Sequence, residues 1–180
     1  AAFSGPAAYN LLVLASFVLT GYTMYLLVLQ SLLAWQRRGG GVLTPRARRA
    51  AQALAFGGGL WLMGSSYHTV RSQHHLALAA MQTLPLSLML LAACWRQPTR
   101  GRAVAAGVAL ALVALTSPYY VAYFVLPAAL VAALWLIAEM RAHGLAALRP
   151  RLSAWGGAAL LAAALAAPFY LNFLQSSEEL

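Results

Sequence analysis

The residues with the widest chemical reach lie in one stretch, Ser65-Ser66-Tyr67-His68-Thr69-Val70-Arg71-Ser72-Gln73-His74-His75. Three of the chain's four histidines are here, beside an arginine. A guanidinium fork matches phosphate or pyrophosphate oxygens, so Arg71 points to an anion. Metal binding through His68, His74 and His75 is the other chemistry these types suggest, and their spacing opposes it. Neighbouring residues on a helix diverge by about 100°, so His74 and His75 do not aim at one ion. The helical i+3 and i+4 partners of His68 are Arg71 and Ser72, and no Cys, Asp or Glu lies nearby. No zinc set is therefore assigned, no cofactor is identifiable, and a divalent ion would need residues outside this chain. Two readings of the cluster stay open: interfacial polar residues with no special role, and one wall of a pocket completed elsewhere.

Other chemistry is sparse. No P-loop, GxGxxG or GxSxG pattern occurs, and on the cluster's side of the chain the carboxylates are Glu178 and Glu179. Gly39-Gly40-Gly41 followed by Val42-Leu43-Thr44-Pro45 reads as a hinge. The single cysteine, Cys94, excludes an internal disulfide and reads as packing.

The elements that must position this cluster are membrane helices. The chain is 62% hydrophobic and 8% charged, where soluble domains carry about 25% charged residues. Six apolar segments cover residues 8–35, 50–66, 76–95, 103–116, 119–138 and 152–167, and a hydrocarbon core about 30 Å thick takes about 20 helical residues. Gly57-Gly58-Gly59 would allow close helix approach. Pro85 predicts a kink in the third segment, and Pro168 an end to the sixth. The fourth segment is short and meets Ser117-Pro118-Tyr119-Tyr120 without a polar loop. That turn is either a tight interfacial hairpin or backbone recessed against a cavity. The fold class is all-α, a polytopic transmembrane bundle of about six segments. Residues 1–180 read as a single domain, with termini that suggest an internal piece of a longer chain.

Charge orients this bundle. Every arginine but Arg71 falls in the loops after the first, third and fifth segments, and the chain has no lysine. Lys/Arg bias in short loops marks the cytoplasmic face. The arginine loops are thus cytoplasmic, while residues 66–76, 117–119 and both termini are non-cytoplasmic, in a multi-pass protein whose alanine-rich, lysine-free usage suggests a bacterial inner membrane. The net charge of +9 does not indicate nucleic acid, because the arginines form no continuous stripe. They also fit anionic lipid, although orientation is the simpler reading. Trp35, Trp95, Trp135 and Trp155 sit near segment ends as interface anchors would.

Several pieces resemble one family. Gly5-Pro6-Ala7-Ala8-Tyr9-Asn10-Leu11-Leu12 with Ser16-Phe17-Val18-Leu19-Thr20-Gly21 resembles an early transmembrane helix of bacterial GT-C-type membrane glycosyltransferase-like proteins. Tyr67-His68-Thr69-Val70-Arg71, His74-His75-Leu76 and Gln82-Thr83-Leu84-Pro85-Leu86 are similar to that family's R…H…L…Q-W-L-P-L stretch, with Thr83 in place of its Trp. Thr116-Ser117-Pro118-Tyr119-Tyr120 looks like its short loop with paired aromatics, and Pro168-Phe169-Tyr170 with Ser177-Glu178-Glu179-Leu180 looks like its P-Y-L…S-R-E-L exit. The resemblance spans nearly the whole chain. It implies a polyprenyl-phosphate-linked sugar donor and transfer on the non-cytoplasmic face. It also implies an acidic catalytic base in a first outer loop, for which this chain has no counterpart, so no residue is assigned to catalysis. Arg71, His68, His74, His75, Tyr67, Tyr119 and Tyr120 are then candidate donor-phosphate or substrate contacts.

The competing reading is a non-catalytic transmembrane subunit that stabilises a larger membrane complex. It expects the Gly57–Gly59 face to be buried against another chain. A transporter with helices broken at Pro118 and Pro127 ranks lower, because the segments lack ionisable residues. The expected partners are membrane lipids, a lipid-linked sugar and other membrane subunits.

Overall fold

A computed structural model describes residues 5–38 and 44–178. Among them the chain is helical with no strand: α1 (Gly5–Arg38), α2 (Pro45–Met63), α3 (Ser66–His74), α4 (Leu76–Ala79), α5 (Thr83–Arg96), α6 (Arg100–Thr116), α7 (Pro118–His143), a 3-10 turn (Leu145–Leu148) and α8 (Arg149–Glu178). Three of these, α1, α7 and α8, are long and apolar enough to cross a membrane.

Caps explain several boundaries. Thr44 accepts the Ala47 N–H (3.2 Å) and is followed by Pro45, the proline-after-cap arrangement that starts a helix. Thr99 accepts the Arg102 N–H (3.4 Å) in the same way. Arg46, Arg48, Arg100 and Arg102 therefore sit in first helical turns, and Arg49 just beyond one, where loops were expected. Three other expectations change. Segment 76–95 is not one helix: α4 and α5 are separated at residues 80–82, and Pro85 falls in the first turn of α5, where its missing N–H is harmless. Segment 152–167 extends well past Pro168, which lies inside α8. Residues 66–76, expected as a loop, are mostly helical. Their first helix, α3, starts where Ser65 accepts the His68 N–H (3.3 Å).

The chain divides into two compact units, Ala1–Met89 and Leu90–Leu180, with the boundary inside α5. In the first unit α1 and α2 form an antiparallel pair that touches at glycines. A Cβ on Gly59 would lie 2.6 Å from the Gly21 carbonyl oxygen, and one on Gly58 3.3 Å from Val28 Cγ2. The Gly58 and Gly59 positions thus pack within the chain, while a Cβ on Gly57 would meet nothing.

In the second unit α6 and α8 run parallel. A Cβ on Gly107 would meet the Ala158 carbonyl oxygen at 2.8 Å, and one end of the pair is tied by Tyr170 Oη donating to the Ala114 carbonyl (2.8 Å). Cys94, Ala106 and Ala158 form the core, with Leu90, Leu91, Ala103, Ala154 and Trp155 packed on it. Where α5 ends, three arginines donate to its last carbonyls: Arg96 to Ala92 (3.1 Å), Arg102 to Ala93 (3.3 Å) and Arg151 to Trp95 (3.2 Å). Helix C-termini leave carbonyls without intrahelical donors and carry partial negative charge, so cations belong there. Ser117 links α6 to α7 as a single buried, extended residue before Pro118, the conformation that proline imposes on its predecessor. Gly144 ends α7 at φ +74°, a backbone region open to glycine.

Candidate functional site

The site grows from one face of α1. Ser16, Thr20 and Thr23 recur at i, i+4 and i+7 and are all buried. Ser16 Oγ donates to the Val13 carbonyl (2.7 Å), and Thr23 Oγ1 donates to the Leu19 carbonyl (2.9 Å). Higher on the same face, Tyr9 Oη donates to the Ser72 carbonyl (2.7 Å). This stripe binds the elements that follow α2. Thr20 Oγ1 reaches Gln82 Oε1 at 3.5 Å. His68 lies against Ser16 (3.2 Å, Nε2 to Oγ) and stacks on Phe17 with centroids 4.0 Å apart. Helix α3 therefore runs antiparallel to α1, its start beside Phe17 and its end beside Tyr9.

His68 is the largest fully buried side chain of the described residues. Ser16 Oγ, which donates to the Val13 carbonyl, is within hydrogen-bond distance of Nε2, with the direction set by the tautomer. Nδ1 is buried with no hydrogen-bond partner. Burial lowers the His68 pKa from its ordinary 6.5, against the Met63 and Ala79 carbonyls, which favour the protonated ring. The ring exposes no atom to a solute; it packs on Ser16 and Phe17 of α1, with the Met63 and Ala79 carbonyls beside it.

One turn apart on a different face of α3 stand Tyr67 and Arg71. The Arg71 guanidinium lies 5.4 Å from the Tyr67 ring centroid, within cation–π range. Tyr67 is 40% exposed and Arg71 is part-covered. No carboxylate pairs with Arg71 among the described residues; the ion pair found there is Arg151–Glu139. A guanidinium held over a ring, partly desolvated and without a counter-ion, can take an oxyanion.

Of the other expected site residues, His75 is exposed just after α3, and the side chain of His74 lies outside the described residues. Tyr119 and Tyr120 belong to the second unit, where Tyr119 is exposed and Tyr120 is buried. No group of three or more His, Cys, Asp or Glu is placed to hold a metal ion among the described residues. Sequence reasoning passed over Ser16, Thr20 and Thr23, whose i, i+4, i+7 spacing in an otherwise apolar helix was the available signal. A scan of protein-family models, a search of curated proteins and a search of solved structures each found no match to this chain.

Proposed function

We propose that this chain is the membrane region of a GT-C-like glycosyltransferase, a six-crossing bundle that holds the phosphate of a lipid-linked sugar donor on its non-cytoplasmic face. The observation that carries the reading is the Arg71–Tyr67 pair on α3, a cation without a carboxylate among otherwise neutral residues. The length of α1 supports its depth. From Trp35 to Ser16 the helix rises about 28 Å, close to the ~30 Å hydrocarbon core. With Trp35 at the arginine-bearing boundary, α3 beside Tyr9–Phe17 falls at the opposite one. The six crossings are α1, α2, α4–α5, α6, α7 and α8, and the arginine-bearing helix ends face the cytoplasm.

The test is binding of a polyprenyl-phosphate-linked sugar by the chain in nanodiscs. Arg71→Ala weakens binding about tenfold or more, as expected when a charge-assisted hydrogen bond worth about 1.5–3 kcal/mol is lost, and Arg71→Lys restores part of it. Binding that is indifferent to both substitutions refutes the reading. The subunit reading is favoured by one observation: Glu139 is tied to Arg151 at 3.0 Å and is not free for acid–base work. It predicts stoichiometric co-purification with another membrane protein and no donor binding at all.

A further inference from the structure

The second unit gathers a dense positive patch at one end. Arg96 closes α5, Arg100 and Arg102 open α6, Arg141 lies in the last turn of α7, and Arg149 and Arg151 open α8. Cross-links show that these ends meet. Arg151 bonds the Trp95 carbonyl (3.2 Å) and Glu139 (3.0 Å), and Arg102 reaches the Ala93 carbonyl (3.3 Å). The patch has two layers. Arg96, Arg102 and Arg151 turn inward and cap α5, and Arg151 also neutralises Glu139. Arg100, Arg141 and Arg149 are exposed, and no carboxylate pairs with them among the described residues.

Beneath the patch lies an aromatic layer. Trp95, Trp135 and Trp155 have ring centroids 4.8, 6.1 and 6.3 Å apart, and Trp155 Nε1 donates to the Leu91 carbonyl (3.3 Å). Trp95 is buried, while Trp135 and Trp155 are partly exposed, and partly exposed indoles favour the headgroup level of a bilayer. The exposed guanidiniums thus stand where lipid phosphates lie. The inward arginines bond the Ala92, Ala93 and Trp95 carbonyls of α5, while no carboxylate among the described residues offsets the outward charge.

We infer that Arg100, Arg141 and Arg149 form a docking surface for the headgroup phosphates of anionic phospholipid at the arginine-bearing end of this unit. The inference rests on the unit spanning a bilayer and is independent of any sugar donor. A partner chain with an acidic tail would match the charge, but it would have no reason to meet it at an indole layer.

Tryptophan quenching tests it directly. The full chain, with Trp35→Phe and Trp61→Phe, is placed in mixed vesicles in which either phosphatidylglycerol or phosphatidylcholine carries acyl-chain bromines. Each cation beside an anionic lipid contributes on the order of fivefold. The expected preference for phosphatidylglycerol is therefore about tenfold or more, falling below about twofold in the Arg100→Gln/Arg141→Gln/Arg149→Gln variant. The corresponding triple Arg→Lys variant keeps the preference, as does Arg46→Gln/Arg48→Gln/Arg49→Gln in the first unit. Unchanged quenching by brominated phosphatidylcholine shows that the glutamine variant is still folded and inserted. A preference that survives the glutamine triple, or vanishes equally on changing the α2 arginines, overturns the proposal. Absence of quenching by either lipid overturns the membrane reading and the proposal with it.

Discussion

Replacing Gly107 by alanine pushes α6 and α8 apart, and the local geometry sets the size of the effect. The new Cβ would lie 2.8 Å from the Ala158 carbonyl oxygen, 3.0 Å from Leu161 Cδ2 and 3.1 Å from Leu161 Cβ. The leucine methyl can swing away. The carbonyl is helix backbone and moves only with α8. Relief to an ordinary contact takes about 0.6 Å, and gaps of 0.5–1 Å forfeit roughly a quarter to a half of each dispersion contact along the seam. Overpacking of this kind costs about 1–3 kcal/mol, partly offset by up to ~1 kcal/mol of helix propensity gained on replacing glycine. With the full propensity gain subtracted, the net loss is at most about 2 kcal/mol. Gly156 and Gly157, on the partner helix, have nothing within 4 Å of a built Cβ, so alanine there keeps only the propensity gain. The assay is unfolding in mixed micelles by increasing fraction of sodium dodecyl sulfate, followed by circular dichroism. Gly107→Ala shifts the midpoint down and Gly156→Ala or Gly157→Ala leaves it level or raises it. Equal midpoints for the 107 and 157 variants would refute the close parallel seam.

The first unit offers the same contrast. Gly59→Ala, with its Cβ 2.6 Å from the Gly21 carbonyl, should destabilise by about 1–3 kcal/mol, while Gly57→Ala should not; thermal melts in detergent compare them. His68 gives a pH signature. Its folded pKa is lowered, so the unfolded chain binds the proton more readily, and stability is full above about pH 6.5 and falls as pH drops below it. His68→Gln should flatten that slope in melts between pH 7.5 and 5, and an unchanged slope would assign it to other groups. Arg151→Ala removes bonds to Glu139 and the Trp95 carbonyl from a pair about one-fifth exposed. A loss of about 1–3 kcal/mol is expected; a double-mutant cycle with Glu139→Gln isolates the pair, and zero coupling contradicts the geometry.

Much of the helical order was legible because its signals are local. The apolar runs are readable along one dimension; Thr44 and Thr99 are local cap signals too, yet Thr44 read as part of a hinge and the arginines beyond it as loop residues. The misreadings were also local in kind. Pro168 looked like a stop, yet α8 continues through it. Residues 66–76 looked like a loop because they are polar, yet Ser65 caps a helix there. The site was legible only in part. Arg71 stood out by its position against the charge pattern. Nothing in the string distinguished His68, which turns inward to Ser16 and Phe17, from Tyr67 and Arg71, which do not.

The amino-acid sequence by itself determined that this chain is helical, that several helices suit a membrane, and which helix ends carry the arginines. Composition and capping act over one or two turns and need no partner. Tertiary structure decided which glycines are contacts, which arginines cap α5 and which remain outward, and where α3 lies against α1. The reason is physical. These Ala/Leu-rich helices are apolar all round, and lipid is as apolar as a neighbouring helix. Hydropathy therefore does not mark the packed face, and only shape and the few hydroxyls at Ser16, Thr20 and Thr23 select it.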